Sequence, residues 1–106
     1  MKVFISQPMN GKTEQEIRGQ RQAAIENIHN LCKAPIEIVE SYFKDDAVKI
    51  DTWNSRGAIL LLAKSIEKIA EADVVYMCEG WKNSRGCRIE HEIARDYGLT
   101  IVEEKW

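Results

Sequence analysis

Residues Gly80 to Gly98 read GWKNSRGCRIEHEIARDYG and directly follow the short apolar run DVVYMC, Asp73 to Cys78. The apolar run has the composition of a buried strand. The residues after it open with glycine and small polar side chains. They then take up a helical pattern from about Ser84 to Tyr97, with Ile89, Ile93, Ala94 and Tyr97 as its expected buried face and Gly98 suited to the position just past its end. A strand, a glycine-bearing loop and a helix N-terminus in that order form a corner where α/β proteins bind anions and place catalytic groups.

The flanking chain supplies the rest of such a fold. Lys2 to Ser6, KVFIS, reads as a central buried strand, broken by Pro8 and the Asn10-Gly11 pair. Thr13 to Glu16 fits a capping box, and Ile17, Ala24, Ile28, Leu31 and Cys32 mark a helix from about Glu14 to Lys33. After Ala34-Pro35, Glu37 to Tyr42 is a second strand, and Phe43 to Arg56 is polar without a clear period. Ile59, Leu62, Ala63, Ile66, Ile69 and Ala70 mark a second helix, with Asn54 and Ser55 offered as caps; Leu60 and Leu61 widen its apolar face. Thr100 to Glu103 closes the chain as a last strand. The alternation predicts one α/β domain over residues 1–106, with a mainly parallel sheet and helices on both faces.

Composition bounds the function. The chain has 106 residues, a net charge of −2 with interspersed signs, 44% hydrophobic and 30% charged residues. Those values fit a folded globular domain and give no basic stripe for nucleic acid. No apolar run reaches membrane-spanning length, and the N-terminus MKVFISQP lacks a signal-peptide pattern. Cys32, Cys78 and Cys87 are odd in number and form no CxxC, which suits a reducing cytoplasm. His29 and His91 stand far apart and no metal-ligand spacing occurs, so neither a metal nor a cofactor is expected.

Ligands in such sheets sit beyond the carboxyl ends of the strands. That edge gathers Ser6 to Lys12, Ser41 onward, and Cys78 to Glu90. Glu90 is the sharpest candidate there. As a Glu near a helix start it can simply favour the dipole. Gly86, four residues earlier on the same helical face, leaves space in front of the carboxylate for chemistry. Ser84 can be an N-cap, or its hydroxyl and the first amides can bind a phosphate. Met9-Asn10-Gly11-Lys12 is either a turn or a ligand contact, with Lys12, Arg18 and Arg21 as sources of positive charge. Cys87 could be a nucleophile, since a thiolate is favoured beside a helix start, but Ile93 stands where a phosphate-binding cysteine loop would need a basic residue and His91 faces elsewhere on the helix, which argues against it. Trp53 and Trp81 serve for packing or for stacking on a base.

Three segments carry a family resemblance: KVFISQPMNGK, EADVVYMCEGW and SRGCRIEHEIARDYG. Together they resemble the nucleoside 2-deoxyribosyltransferase-like superfamily, in particular a small bacterial and phage branch similar to the 2′-deoxynucleoside 5′-phosphate N-hydrolases. The resemblance implies a Rossmann-like (flavodoxin-like) three-layer sandwich with four or five strands. It implies that Glu90, in a G-x-x-x-E-x-x-x-A pattern formed by Gly86, Glu90 and Ala94, attacks the sugar C1′ and expels the base. Ser84 stands where transferases of the superfamily carry Asp, which favours a nucleoside 5′-monophosphate over a free nucleoside. The implied substrate contacts are Ser6, Gln7, Met9, Asn10, Gly11, Lys12, Trp81, Ser84 and Gly86. A carboxylate that relatives carry late in the second helix falls here near Ser65 or Ile66, with Glu67 the nearest acid. The resemblance also implies a homodimer, or a higher homo-oligomer, formed through the second and third helices. The expected activity is cleavage or transfer at an N-glycosidic bond; the alternative is a non-catalytic nucleotide-binding module on the same fold.

Overall fold

The computed structural model describes residues 1–39 and 56–104. The expected end of the second strand at Tyr42, the polar stretch after it, Trp53 and the caps at Asn54 and Ser55 lie outside the described residues. In chain order the elements are β1 (Lys2–Ser6), α1 (Glu14–Leu31), β2 (Glu37–Val39), α2 (Arg56–Ile69), β3 (Val74–Met77), a 3₁₀ turn (Trp81–Asn83), α3 (Arg85–Asp96) and β4 (Thr100–Glu103). The four strands form one all-parallel sheet in the order β2-β1-β3-β4. The chain steps from β1 outward to β2, then crosses back past β1 to β3. The reversal puts a switch point at the carboxyl ends of β1 and β3.

The strands alternate their side chains between two apolar layers. Val3, Ile5, Tyr76 and Cys78 pack with Ala24 and Ile28 of α1 on one face. Phe4, Val75 and Met77 pack on the other with Ile69 of α2 and with Cys87 and Ala94 of α3. The result is a three-layer Rossmann-like sandwich, with α1 on one side of the sheet and α2 and α3 on the other. Ser6 shares the parity of Phe4, so it faces α3.

Local chemistry sets the helix ends. Thr13 accepts from the Glu16 amide and Glu16 bonds back to the Thr13 amide, which completes the expected capping box. α1 stops at Leu31, two residues before the expected end, because Cys32 is already extended ahead of Pro35. Leu31, read as part of the buried stripe, is instead exposed in that last turn. At the end of α3, Gly98 takes φ +76. Its amide meets Arg95 O at 3.3 Å, and the Leu99 amide meets Ala94 O at 2.9 Å. That pair of bonds is the Schellman closure, and it requires the left-handed residue at Gly98.

Two helical faces differ from the expected ones. On α2 the side turned inward carries Ala58, Leu61, Leu62, Ser65 and Ile69, while Ile59, Leu60, Ala63 and Ile66 face outward. Both stripes are rich in apolar residues, so periodicity alone could not choose between them. On α3 the buried positions are Cys87, Glu90 and Ala94, with Ile89 and Ile93 only half-buried and Tyr97 exposed. A carboxylate therefore occupies the middle of the helix's most buried line. None of the described helices is long and apolar enough to cross a membrane.

Candidate functional site

A cavity of about 560 Å³ opens at the switch point. Its walls come from the segment after β1, the inner side of α2 and the start of α3. Of the residues expected at the site, Gln7, Met9, Asn10, Lys12, Ser84, Gly86 and Glu90 line it. Ser6 lies beneath, bonded to Glu90. Gly11 is not on the wall; at φ +78 it makes the Met9–Lys12 turn, closed by a 3.1 Å bond from the Lys12 amide to Met9 O. Trp81 is not on the wall either. It is buried in the core and stacks on His91, ring centroids 4.2 Å apart. Of the three basic residues considered beside the first helix, Lys12 reaches the cavity, whereas Arg18 pairs with Glu14 at 2.9 Å on the surface and Arg21 is not on the wall.

Glu90 is 7% exposed. Ser6 Oγ donates to its Oε1 at 2.6 Å. Burial pushes the carboxyl up from its ordinary value to about 7, and donation from Ser6 and Ser65 only partly offsets this. Ser65 Oγ is also 3.4 Å from Leu61 O, a long contact. A hydroxyl has one proton to give, and a carboxylate is the stronger acceptor, so the ionised Glu90 takes it. The group is thus divided between acid and anion near neutral pH, the condition that suits a proton-transfer or nucleophilic carboxylate.

Ser84 caps α3, accepting from the Cys87 amide at 3.4 Å. Its hydroxyl proton is not used in that bond and remains available to a ligand. Gly86 has an ordinary helical φ and open space where a Cβ would stand. The absence of a side chain there is what keeps the start of α3 accessible from the cavity. The first-turn amides of a helix have no ladder partner, and the macrodipole makes this end weakly positive. Lys12, Arg85 and Arg88 add cationic side chains to the same wall. The sequence reading missed Arg85 and Arg88; their signal was a pair of arginines within the first turn after an N-cap.

Cys87 lacks the thiolate character that a nucleophile would need. Burial first, and then the neighbouring Glu90 charge, push its thiol up to about 11. Desolvation outweighs the helix dipole, so Cys87 is a neutral packing group. The resemblance puts a late second-helix acid near Ser65 or Ile66. Ser65 reaches the cavity, while Ile66 and Glu67 lie on the outer side of α2. Among the described residues that line the cavity, Glu90 is the sole carboxyl. No group of His, Cys, Asp and Glu suited to a metal occurs among the described residues.

Fold and site together define a small parallel α/β protein with a buried carboxyl facing a cationic, helix-capped cavity at its switch point. The chain belongs to a family described as Domain of unknown function (DUF4406), whose model matches residues 1–103. No curated protein and no solved structure matches it.

Proposed function

We propose that this protein cleaves or transfers the N-glycosidic bond of a (deoxy)nucleoside 5′-monophosphate, with Glu90 as the nucleophile. The observation that carries the reading is the placement of two different groups of one helix on one cavity: the capped N-terminus at Ser84, and the buried carboxyl of Glu90 farther along α3. A phosphate held by the Ser84 hydroxyl and the first-turn amides would anchor the sugar against Glu90. Binding energy far from the reacting carbon would then be used for orientation. The ionised Glu90 attacks C1′, the C1′–N bond breaks, and its electron pair leaves with the base. Water, or a second base, then opens the glycosyl ester and restores the carboxylate. The resemblance to the nucleoside 2-deoxyribosyltransferase-like superfamily supports the same assignment. A cytoplasmic location agrees with free Cys32, Cys78 and Cys87. A homodimer through α2 and α3 agrees with the exposure of Ile59 and Leu60 on α2, each 66% exposed.

The test is incubation with a panel of nucleotides, following free base by chromatography. Release by wild type and its loss in Glu90→Ala support the reading. Equal background in both on every substrate overturns it.

A second reading is a nucleotide-binding module without turnover. One observation favours it: apart from Glu90, no carboxyl lines the cavity among the described residues, and the position that the resemblance gives to a base-protonating acid falls at Ser65 or Ile66. Calorimetric binding without product would establish this reading, and a glycosyl adduct on Glu90 would exclude it.

A further inference from the structure

Gln7 begins the segment that follows β1, and its side chain is held in one orientation. Nε2 donates to Ile17 O of α1 at 2.9 Å. A carbonyl can only accept, so the amide nitrogen must face Ile17 and the other end of the amide must be Oε1. That oxygen is buried and has no hydrogen-bond partner. The residue is 6% exposed and lines the cavity. A buried acceptor without a donor is a standing cost, and native structures keep few of them. Among the described residues only one other side-chain atom shares this state, the indole nitrogen of Trp81, and Trp81 does not line the cavity.

We propose that Gln7 is a specificity-determining residue whose Oε1 accepts a hydrogen bond from an N–H on the ligand's base. The proposal rests on the nucleotide reading of the same cavity and narrows it. The base must carry an exocyclic amino group or a lactam N–H. Oε1 is buried from water in this structure, so a ligand donor reaches it only when the adjoining Pro8 to Lys12 wall shifts. A ligand without the N–H leaves the acceptor unpaired, and sites of this kind discriminate strongly against such analogues. Lys12 and Asn10, on the same wall, can only add contacts; neither satisfies Gln7 in this structure.

The experiment is calorimetric titration of the full chain with matched pairs of nucleoside 5′-monophosphates. The pairs are adenine against unsubstituted purine, cytosine against 2-pyrimidinone, and hypoxanthine against its N1-methyl form. In wild type, the tightest-binding N–H base should exceed its partner by at least about tenfold. In Gln7→Met, or Gln7→Leu where the first does not fold, that ratio should collapse while the N–H-free analogue keeps its affinity within about threefold. Equal affinities within every pair in wild type overturn the proposal whether or not either variant folds. A ratio that persists in the folded variants overturns the assignment to Gln7. In both cases nucleotide binding survives, so the reading of the cavity stands. Absence of binding by every nucleotide overturns the two together.

Discussion

The Ser6 hydroxyl donates to Glu90 Oε1 across 2.6 Å, although the two residues are 84 positions apart in the chain. The bond joins the end of the central strand to the middle of α3. It also favours the ionised form of a carboxyl that burial pushes the other way. Removing it should therefore be visible in a titration. In Ser6→Ala the acidic limb of any Glu90-dependent rate should move upward by about one pH unit. Lys12, Arg85, Arg88 and Cys87 line the same cavity and are unchanged in the variant, so the shift would belong to the lost donor. A pH–rate profile that superimposes on wild type would contradict this role.

The same carboxyl makes the fold sensitive to pH. Its folded value of about 7 lies above the ordinary 4.5. Between those values the native chain holds a proton that the unfolded chain has released. Stability therefore falls as pH rises from about 4.5 through 7, and above 7 the cost of burying the anion is complete, roughly 3 kcal/mol. Glu90→Gln keeps the shape and removes the charge. Urea denaturation should show the variant more stable than wild type by about 2–3 kcal/mol at pH 8 and nearly equal to it near pH 4.5. A gain of the same size at both pH values would show that charge burial is not the cause.

Two glycines should respond in opposite directions. Gly98 holds φ +76, so Gly98→Ala forces a left-handed alanine and should cost about 1 kcal/mol. Gly86 is in the first turn of α3 with open space around it. Gly86→Ala should leave stability unchanged or raise it by about 0.5 kcal/mol, while the added methyl weakens nucleotide binding. Thermal melts read the first effect and titration the second. Undiminished binding in Gly86→Ala would remove the start of α3 from the site.

Ser84 has two separable roles, cap and phosphate contact. Glycine is nearly as good an N-cap as serine, so Ser84→Gly should change stability by only a few tenths of a kcal/mol. It removes the hydroxyl that would meet a phosphate. Affinity for a nucleoside 5′-monophosphate should fall about tenfold, with that for the matching nucleoside unchanged. A parallel loss for both ligands would argue that the hydroxyl does not touch phosphate.

The architecture was largely legible because its signals are local. The β-branched runs at Lys2–Ser6 and Thr100–Glu103 became strands at those residues, and the Thr13/Glu16 box and Gly98 marked helix ends by backbone chemistry that acts within a few residues. Facing was less legible. α2 has two adjacent apolar stripes, and the one that packs inward includes Ser65 rather than Ile66. On α3 the isoleucines suggested the buried line, yet Glu90 holds its centre. Which side of a helix is buried depends on what the sheet offers opposite, and periodicity does not contain that.

The sequence by itself determined the order of strands and helices, the caps, and the gathering of Ser6–Lys12 and Ser84–Glu90 at one edge of a parallel sheet, since chain direction and crossover handedness leave few alternatives. Only the tertiary structure decided that Ser6 bonds Glu90, that Trp81 belongs to the core, that Cys87 is held as a neutral thiol, and that Gln7 turns an unpaired oxygen into the interior. Each of these follows from desolvation and from partners distant in the chain, and both come into being only when the layers close.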